Sequence, residues 1–416
     1  MVASHWRDRT LGELLEIKHG FAFKGEFFSD AGSFVLLTPG NFRENGGLKL
    51  KGDKEKFYLG DYPPEFLLKR GDLLVAMTDL TQQAPILGSP AFIPVDGCFL
   101  HNQRLGKFIN VDQNELTYEF LFYLMNTNSV RGQILGSATG STVRHTSPSR
   151  IYNVNVQLPP LPVQHRIAGI LSAYDELIEN NERRIEILEA MARAIYREWF
   201  TYLRFPGHEL ASQIPSPLGE IPQGWEVRRV ADFAEFTKGF EPGSAAYKKQ
   251  SDVGLVRFLR VGDLSKRNSG LFVDADLAKG RVLQPLDIAI TLDGSVGEVK
   301  LGLSGAYSSG IRRVDIKDPQ RLGWAFAYQL LLSDSIQAVI HAHAKGTTIK
   351  HAGTAVAALV YVSPTKDVIE IYERIAAPLM RQVLVLQEQV ENLRRTRDLL
   401  LPRLLSGELD VEASAA

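Results

Sequence analysis

Hydrophobic and polar positions follow two rhythms along this chain, and each rhythm occurs twice. Short aliphatic or aromatic runs cut by Gly, Pro, Asn and Asp come first, in SFVLLTPGNF (33–42) and GDLLVAM (71–77), and again in VRFLRVGDL (256–264) and LDIAITLDG (286–294). Such runs predict strands joined by turns. Each strand-rich block leads into a long segment with marked positions every three or four residues. In the first segment these are Ile170, Tyr174, Leu177, Asn181, Ile185, Leu188, Ala192, Ile195 and Trp199; in the second they are Tyr372, Ile375, Leu379, Val383, Leu386, Val390, Leu393, Arg397 and Leu400. Both stripes read as coiled-coil seams. LPPLP (158–162) starts the first helix, because proline fixes its own φ and restricts the residue before it, and FPG (205–207) ends it. Some 40 helical residues make a rod of roughly 60 Å. Neither rod can bury its stripe alone, so an antiparallel pair is the simplest solution. Asn181 and Arg397 fall on the seams, either setting register or tolerated near solvent.

The recurrence extends to the residues themselves. GSTVRH (140–145) returns as GTTIKH (346–351), 206 positions later. Trp6, Gly20 and Phe21 match Trp225, Gly239 and Phe240, and RIA at 166–168 matches RIA at 374–376. The order is kept while the offset drifts, as happens when insertions fall in surface loops. The expected fold class is α+β, with two tandem β-rich domains and two long helices that pair as an antiparallel coiled coil. The boundaries read as 1–158 for the first block, 159–205 for the central helix, 206–364 for the second block, 365–405 for the second helix and 406–416 for a tail.

Composition narrows the chemistry. The 416 residues are 44% hydrophobic and 23% charged with a net charge of −1, and each β-rich block is close to neutral, which argues against a sequence-indifferent nucleic-acid coat. The single cysteine, Cys98, excludes an internal disulfide and any multi-cysteine zinc site. No apolar run approaches the roughly 18 residues of a membrane span, and residues 1–15 hold charges where a secretory signal needs an apolar stretch, so a cytoplasmic location is expected. The chain has no Gly-x₄-Gly-Lys-Ser/Thr loop for nucleotide phosphates and no Asn-Pro-Pro-aromatic motif for a target base; YPPE (62–65) is not that motif. His341, His343 and His351 near Lys345 lack a nucleophile or carboxylate at fixed spacing.

The helix text LPPLPVQHRIAGILSAYDELIENNERRIEILEAMARAIYREWF (158–200) resembles the central region of specificity subunits of type I restriction-modification systems. RTRDLLLPRLLSGELDV (395–411) resembles the C-terminal signature of that family, and HGFAFKGEFFSDAG (19–32) and QGWEVRRVADFAEFTKGF (223–240) resemble the openings of its target-recognition domains. The resemblance implies that each β-rich block reads one half of a split, asymmetric DNA target, while the helices space the blocks and dock partners. It implies a chain that does no chemistry and binds no cofactor itself. S-adenosylmethionine would sit on two modification subunits that methylate adenine, and ATP and Mg would sit on a restriction subunit where one is present.

Candidate DNA contacts follow from residue type and repetition. Ser141, Thr142, Arg144 and His145, with Thr347, Thr348, Lys350 and His351, offer hydroxyls, cations and backbone N–H groups suited to phosphates or guanine edges, or else form a structural turn. Asn102, Gln103 and Arg104, set against Arg312 and Arg313, can pair with adenine and guanine, or brace a strand edge. Lys24, Asn41, Arg43, Lys238, Arg257 and Arg260 lie in loops or strand ends that could face a groove. On the central helix Arg183, Arg184, Glu186, Glu189 and Arg193 suit a docking face or an ordinary solvated side, while Trp199 and Phe200 suit anchoring of the helix to a block. A rival reading comes from PLDIAITLDGSVGEVK (285–300), where Asp287, Glu298 and Lys300 imitate a Mg-dependent nuclease; a coiled-coil scaffold without DNA specificity is another.

Overall fold

The computed structural model describes residues 6–264, 270–347, 349–409 and 411. The chain divides into two units, residues 1–178 with 392–416 and residues 179–391. Both divisions fall inside long helices, Leu161–Tyr196 with 36 residues and Lys366–Leu405 with 40.

In the first unit the alternating and fully apolar runs form an antiparallel sheet in the order Glu16–His19, Leu105–Ile109, Leu73–Ala76 and Pro90–Phe92. LLVA at 73–76 is buried at all its positions, as a continuous apolar run requires. A second sheet runs Phe28–Ser29, Phe57–Tyr58, Val35–Leu36 and Phe99–Leu100, the last two parallel. Arg7–Thr10 pairs antiparallel with Asn155–Leu158, so the first strand of the block lies against its last.

The second unit repeats this plan and adds a hairpin of Gln213–Ser216 with Gly219–Pro222. Its antiparallel sheet has the order Ala234–Lys238, Ile311–Ile316, Ile288–Thr291 and Val299–Lys300. Its second sheet runs Phe272–Asp274, Leu255–Leu259, Gly305–Tyr307 and Val282–Leu283, again with one parallel pair, between Leu255–Leu259 and Gly305–Tyr307. Glu226–Arg229 against Val360–Ser363 closes the block. Two short helices follow each sheet, Tyr118–Met125 and Asn128–Ser137 in the first unit, Trp324–Leu332 and Asp334–Ala342 in the second.

The long helices bury their apolar faces within each unit. In the first, Ile167, Ala168 and Leu171 share a core with Phe120, Leu121, Leu404 and Leu405. The buried stripe is rotated from the expected seam there: Ile167, Leu171 and Ile178 are inside, whereas Leu177 is 51% exposed. The stretch packs on block residues as well as on the second helix, so burial follows two neighbours rather than one seam. Arg397 donates to Asp175 at 2.6 Å and to Asp398 at 2.8 Å. In the second unit Phe200 packs on Trp225 and Phe326 of the block, with ring centroids 6.0 and 4.7 Å away, the anchoring expected of it, while Trp199 packs on Tyr372 of the second helix at 5.8 Å. Ile375 is exposed, and Ala376 and Met380 take the buried positions.

Each long helix also seals the start of a short one. The buried Gln164 accepts from Thr117 N–H at 3.0 Å and donates to the carbonyls of Glu115 and Pro159 at 2.6 and 2.9 Å. Glu373 accepts from Phe326 N–H at 2.8 Å, and burial raises its carboxyl above the ordinary range. Both side chains satisfy N–H groups that a helix start leaves open. Among the described residues no helix is long and apolar enough to cross a membrane.

Candidate nucleic-acid interface

GSTVRH and GTTIKH fold into the same turn. Thr139 and His145 exchange backbone hydrogen bonds of 2.9 Å each, and Lys345 and His351 do the same at 3.0 and 2.7 Å. Inside each turn the glycine is required: a Cβ on Gly140 (φ +91°) would stand 2.0 Å from the Val143 carbonyl oxygen, and one on Gly346 (φ +120°) 2.1 Å from that of Ile349. Each turn is then stitched to the same strand end, by Thr146 N–H to Met77 O at 2.9 Å and Ala352 N–H to Leu292 O at 2.7 Å. Ser141, Thr142 and Thr347 are exposed; Thr348 lies outside the described residues. His145 Nδ1 is 3.1 Å from Thr78 Oγ1, and His351 Nδ1 is 2.8 Å from Asp293 Oδ1. Thr78 and Asp293 escaped the sequence reading, although aligning GDLLVAMTD with LDIAITLDG sets them opposite one another. The cations diverge. Lys350 is exposed, but Arg144 donates to the carbonyls of Leu135 and Gly140, 3.2 Å each, and caps the end of helix Asn128–Ser137.

The second pair of candidates needs a shift of register. Phe21 bridges Asn102 as Phe240 bridges Ser308, and Gly106 faces His19 as Arg312 faces Lys238. Asn102, Gln103 and Arg104 therefore correspond to Ser308, Ser309 and Gly310, and not to Arg312 and Arg313, which correspond to Gly106 and Lys107. Gly20 and Gly239 hold these crossings, since a Cβ on either would lie 2.0 or 2.1 Å from the carbonyl oxygen of Asn102 or Ser308. Gln103 and Arg104 are exposed. Arg312 is buried and pairs with Asp293 at 3.3 Å, while Arg313 is tied to Asp315 at 2.6 Å and to the carbonyls of Gly280 and Val282. Both arginines brace the second unit in this conformation. In the first unit His101, next to Asn102, is fully buried, donates to Leu105 O at 2.9 Å, and is pushed down to about 4 by burial.

Of the scattered candidates, Lys24, Arg43 and Lys238 are exposed and Arg257 is half-buried. Asn41 departs from the expectation of a groove-facing loop: it is fully buried, its Oδ1 accepting from Thr38 N–H at 3.0 Å and its amide donating to Glu55 at 2.9 Å. Arg260 is exposed but pairs with Asp263 at 3.2 Å. On the central helix Arg183, Arg184, Glu186 and Arg193 are exposed and Glu189 is half-buried, with Arg183 3.5 Å from Glu179.

The nuclease pattern comes apart. Asp287 accepts from Gln284 N–H at 2.8 Å, and Asp72 in the first unit makes the same turn with Lys69 N–H at 2.9 Å. Glu298 faces Thr291, whose N–H donates to its carbonyl. Thr291 lies four strand residues beyond Asp287, which at about 3.3 Å each puts the two carboxyl-bearing residues roughly 13 Å apart along the hairpin. Among the described residues no three His, Cys, Asp or Glu side chains group to hold a metal.

Two copies of one α+β unit, each presenting the same histidine-bearing turn, define a tandem-duplicate protein. Residues 3–190 match the family described as the Type I restriction modification DNA specificity domain. The MjaIX type I restriction enzyme specificity subunit of Methanocaldococcus jannaschii is 26% identical over 73% of this chain and 71% of its own. The HindI specificity subunit of Haemophilus influenzae is 21% identical over 98% of this chain and 100% of its own. A crystal structure of a type I restriction-modification S subunit from M. genitalium shares the fold with a TM-score of 0.61, at 18% identity over 96% of both chains. The chain is thus similar to type I restriction-modification specificity subunits, through the matched domain at residues 3–190 and through relatives that align along most of its length.

Proposed function

We propose that this chain is the non-catalytic DNA-reading subunit of a type I restriction-modification complex, with each unit reading one half of a bipartite, asymmetric target. The observation that carries this reading is the duplication itself. The backbone of the turn is kept in both copies, down to its glycine and its bridge, while side chains at equivalent positions differ: Thr78 against Asp293, Asn102 against Ser308, Arg104 against Gly310. Two frames with one geometry and differing side chains, Arg104 exposed among them, suit two different half-sequences, because direct readout resides in side chains reaching base edges. Ser141, Thr142, His145, Thr347, Lys350, His351, Gln103, Arg104, Lys24, Arg43 and Lys238 are the exposed groups offered to DNA. The near-neutral blocks fit a reader whose partners supply the nonspecific electrostatic attraction.

The two long helices, in this proposal, pair antiparallel along their length and set the unread gap between half-sites. The exposed charges Arg183, Arg184, Glu186 and Arg193, together with Glu189, belong to a docking face for two modification subunits. Those subunits carry S-adenosylmethionine and methylate adenine; ATP and Mg belong to a restriction subunit where one assembles. The work of such a chain is intracellular.

The test is a methylation map by single-molecule sequencing of DNA from cells expressing this chain with its modification subunit. Methyladenine confined to a split motif with a fixed gap, and absent without this chain, is the expected result. Replacing residues 206–364 with those of a relative should change one half of that motif. A change in both halves refutes independent readers, and no motif despite verified assembly favours a scaffold without DNA specificity.

A further inference from the structure

The connection that follows the central strand differs between the two units. Val75 pairs with Pro90 and Ile290 with Val299, so the connection spans residues 76–89 in the first unit and 291–298 in the second. The shorter one is a tight turn with Gly294 and Gly297 at φ +78° and +94°. The longer one is a built loop. Asp79, 2% exposed, accepts from Thr81 N–H, Thr81 Oγ1 and Ile86 N–H, all at 2.8 Å. Arg131 donates to Pro85 O, and the Asp79 carboxylate favours its charge against a burial that pushes it down to about 10. Ala84 and Leu87 are buried beneath the loop, and Gly88 N–H returns to Ala76 O at 2.7 Å.

So firm a frame presents an unusual surface. Leu80 is 60% exposed, and Gln82 and Gln83 are exposed beside it. The frame is also joined to the repeated turn, since Asp79 pairs with Arg144 and Thr78 with His145. A glutamine amide carries both a donor and an acceptor, the pattern that matches N6 and N7 of adenine, and an exposed aliphatic group suits the thymine methyl. Holding the backbone rigid lowers the entropy lost when such groups meet a base edge.

We propose that residues 80–83 form the specificity loop of the first unit, with Gln82 and Gln83 reading an A·T pair in the major groove and Leu80 meeting a thymine methyl. The assignment rests on the DNA-reading function proposed above. The second unit reads without this loop, because its connection is six residues shorter.

The test uses the full chain co-expressed with its modification subunit, comparing methylation maps of the wild type with Gln82→Ala/Gln83→Ala. Both side chains are exposed, so the variant should melt with the wild type. The expected result is relaxation at one or two adjacent positions of one half-site, by roughly 5- to 150-fold in discrimination, with the other half and the gap unchanged. Gln82→Glu/Gln83→Glu should shift preference at those positions towards cytosine, whose N4 amino group a carboxylate accepts. A wild-type motif that survives Gln82→Ala/Gln83→Ala unaltered overturns the loop assignment, as does a uniform loss across both halves, which would mark a backbone contact. A wild type with no split motif overturns the DNA-reading function as well.

Discussion

Gly140→Ala asks whether the repeated turn depends on its glycine. The added methyl would stand 2.0 Å from the Val143 carbonyl oxygen, where an unstrained carbon–oxygen contact needs about 3.3 Å. The backbone φ of +91° adds about 1–2 kcal/mol for any L side chain. Relieving the overlap means opening the turn, which forfeits the two hydrogen bonds between Thr139 and His145, about 1 kcal/mol each. Opening also relieves the φ strain, so the loss is the two bonds, about 2 kcal/mol, and is confined to the turn, because opening there is cheaper than unfolding the unit. Hydrogen exchange reads it directly: the amides of Thr139 and His145 should exchange roughly 30-fold faster. Gly136→Ala is the matched control. It lies in helix Asn128–Ser137 with nothing within 4 Å of its Cβ, and should gain about 0.5–1 kcal/mol. Gly346→Ala should open the second turn in the same way. Protection at Thr139 and His145 unchanged within about threefold would refute the steric reasoning.

Three other perturbations separate structural from recognition roles. His101 stays neutral in the fold down to about pH 4 while an unfolded histidine protonates near 6.5, so stability should fall as pH drops between those values, by at most on the order of 3 kcal/mol; His101→Phe should flatten that slope in denaturant titrations across the window. Gln164→Ala leaves Thr117 N–H and two carbonyls without their buried partner and should cost about 2–4 kcal/mol in thermal or urea melts; a cost under about 0.5 kcal/mol would show that the helix start is satisfied otherwise. Asp287→Asn should loosen one turn by about 1 kcal/mol and leave the methylation motif intact, and Mg-dependent DNA cleavage by the purified chain that Lys300→Ala abolishes would revive the nuclease.

The large-scale plan was legible because it is written in periodicity and repetition. The central helix starts at Leu161, within LPPLP, and the paired glycines and histidines mark equivalent backbone positions in both units. What escaped was anything decided by tertiary neighbours. NFRENGG reads as an exposed polar loop, yet Asn41 is drawn inside by Glu55 and Lys51, partners that no local pattern announces. Arg312 and Arg313 look like a basic pair, but strand alternation and the register with Ala234–Lys238 turn one inward to Asp293 and the other to Asp315. Leu177 sits correctly on a helical stripe and is still exposed, because the first unit offers its helix two packing partners. The specificity loop was invisible for a related reason: TDLTQQAP has no periodicity, and its firmness comes from one buried carboxylate.

The strand pairs that close the blocks have a consequence for inheritance. Arg7 lies opposite Leu158 and Glu226 opposite Ser363, so the chain enters and leaves each block about one strand spacing apart, roughly 5 Å. A gene segment encoding the interior of a block can therefore be exchanged or lengthened by recombination, while the flanking helix still meets the same two strands. The chain keeps its frame and acquires a new vocabulary.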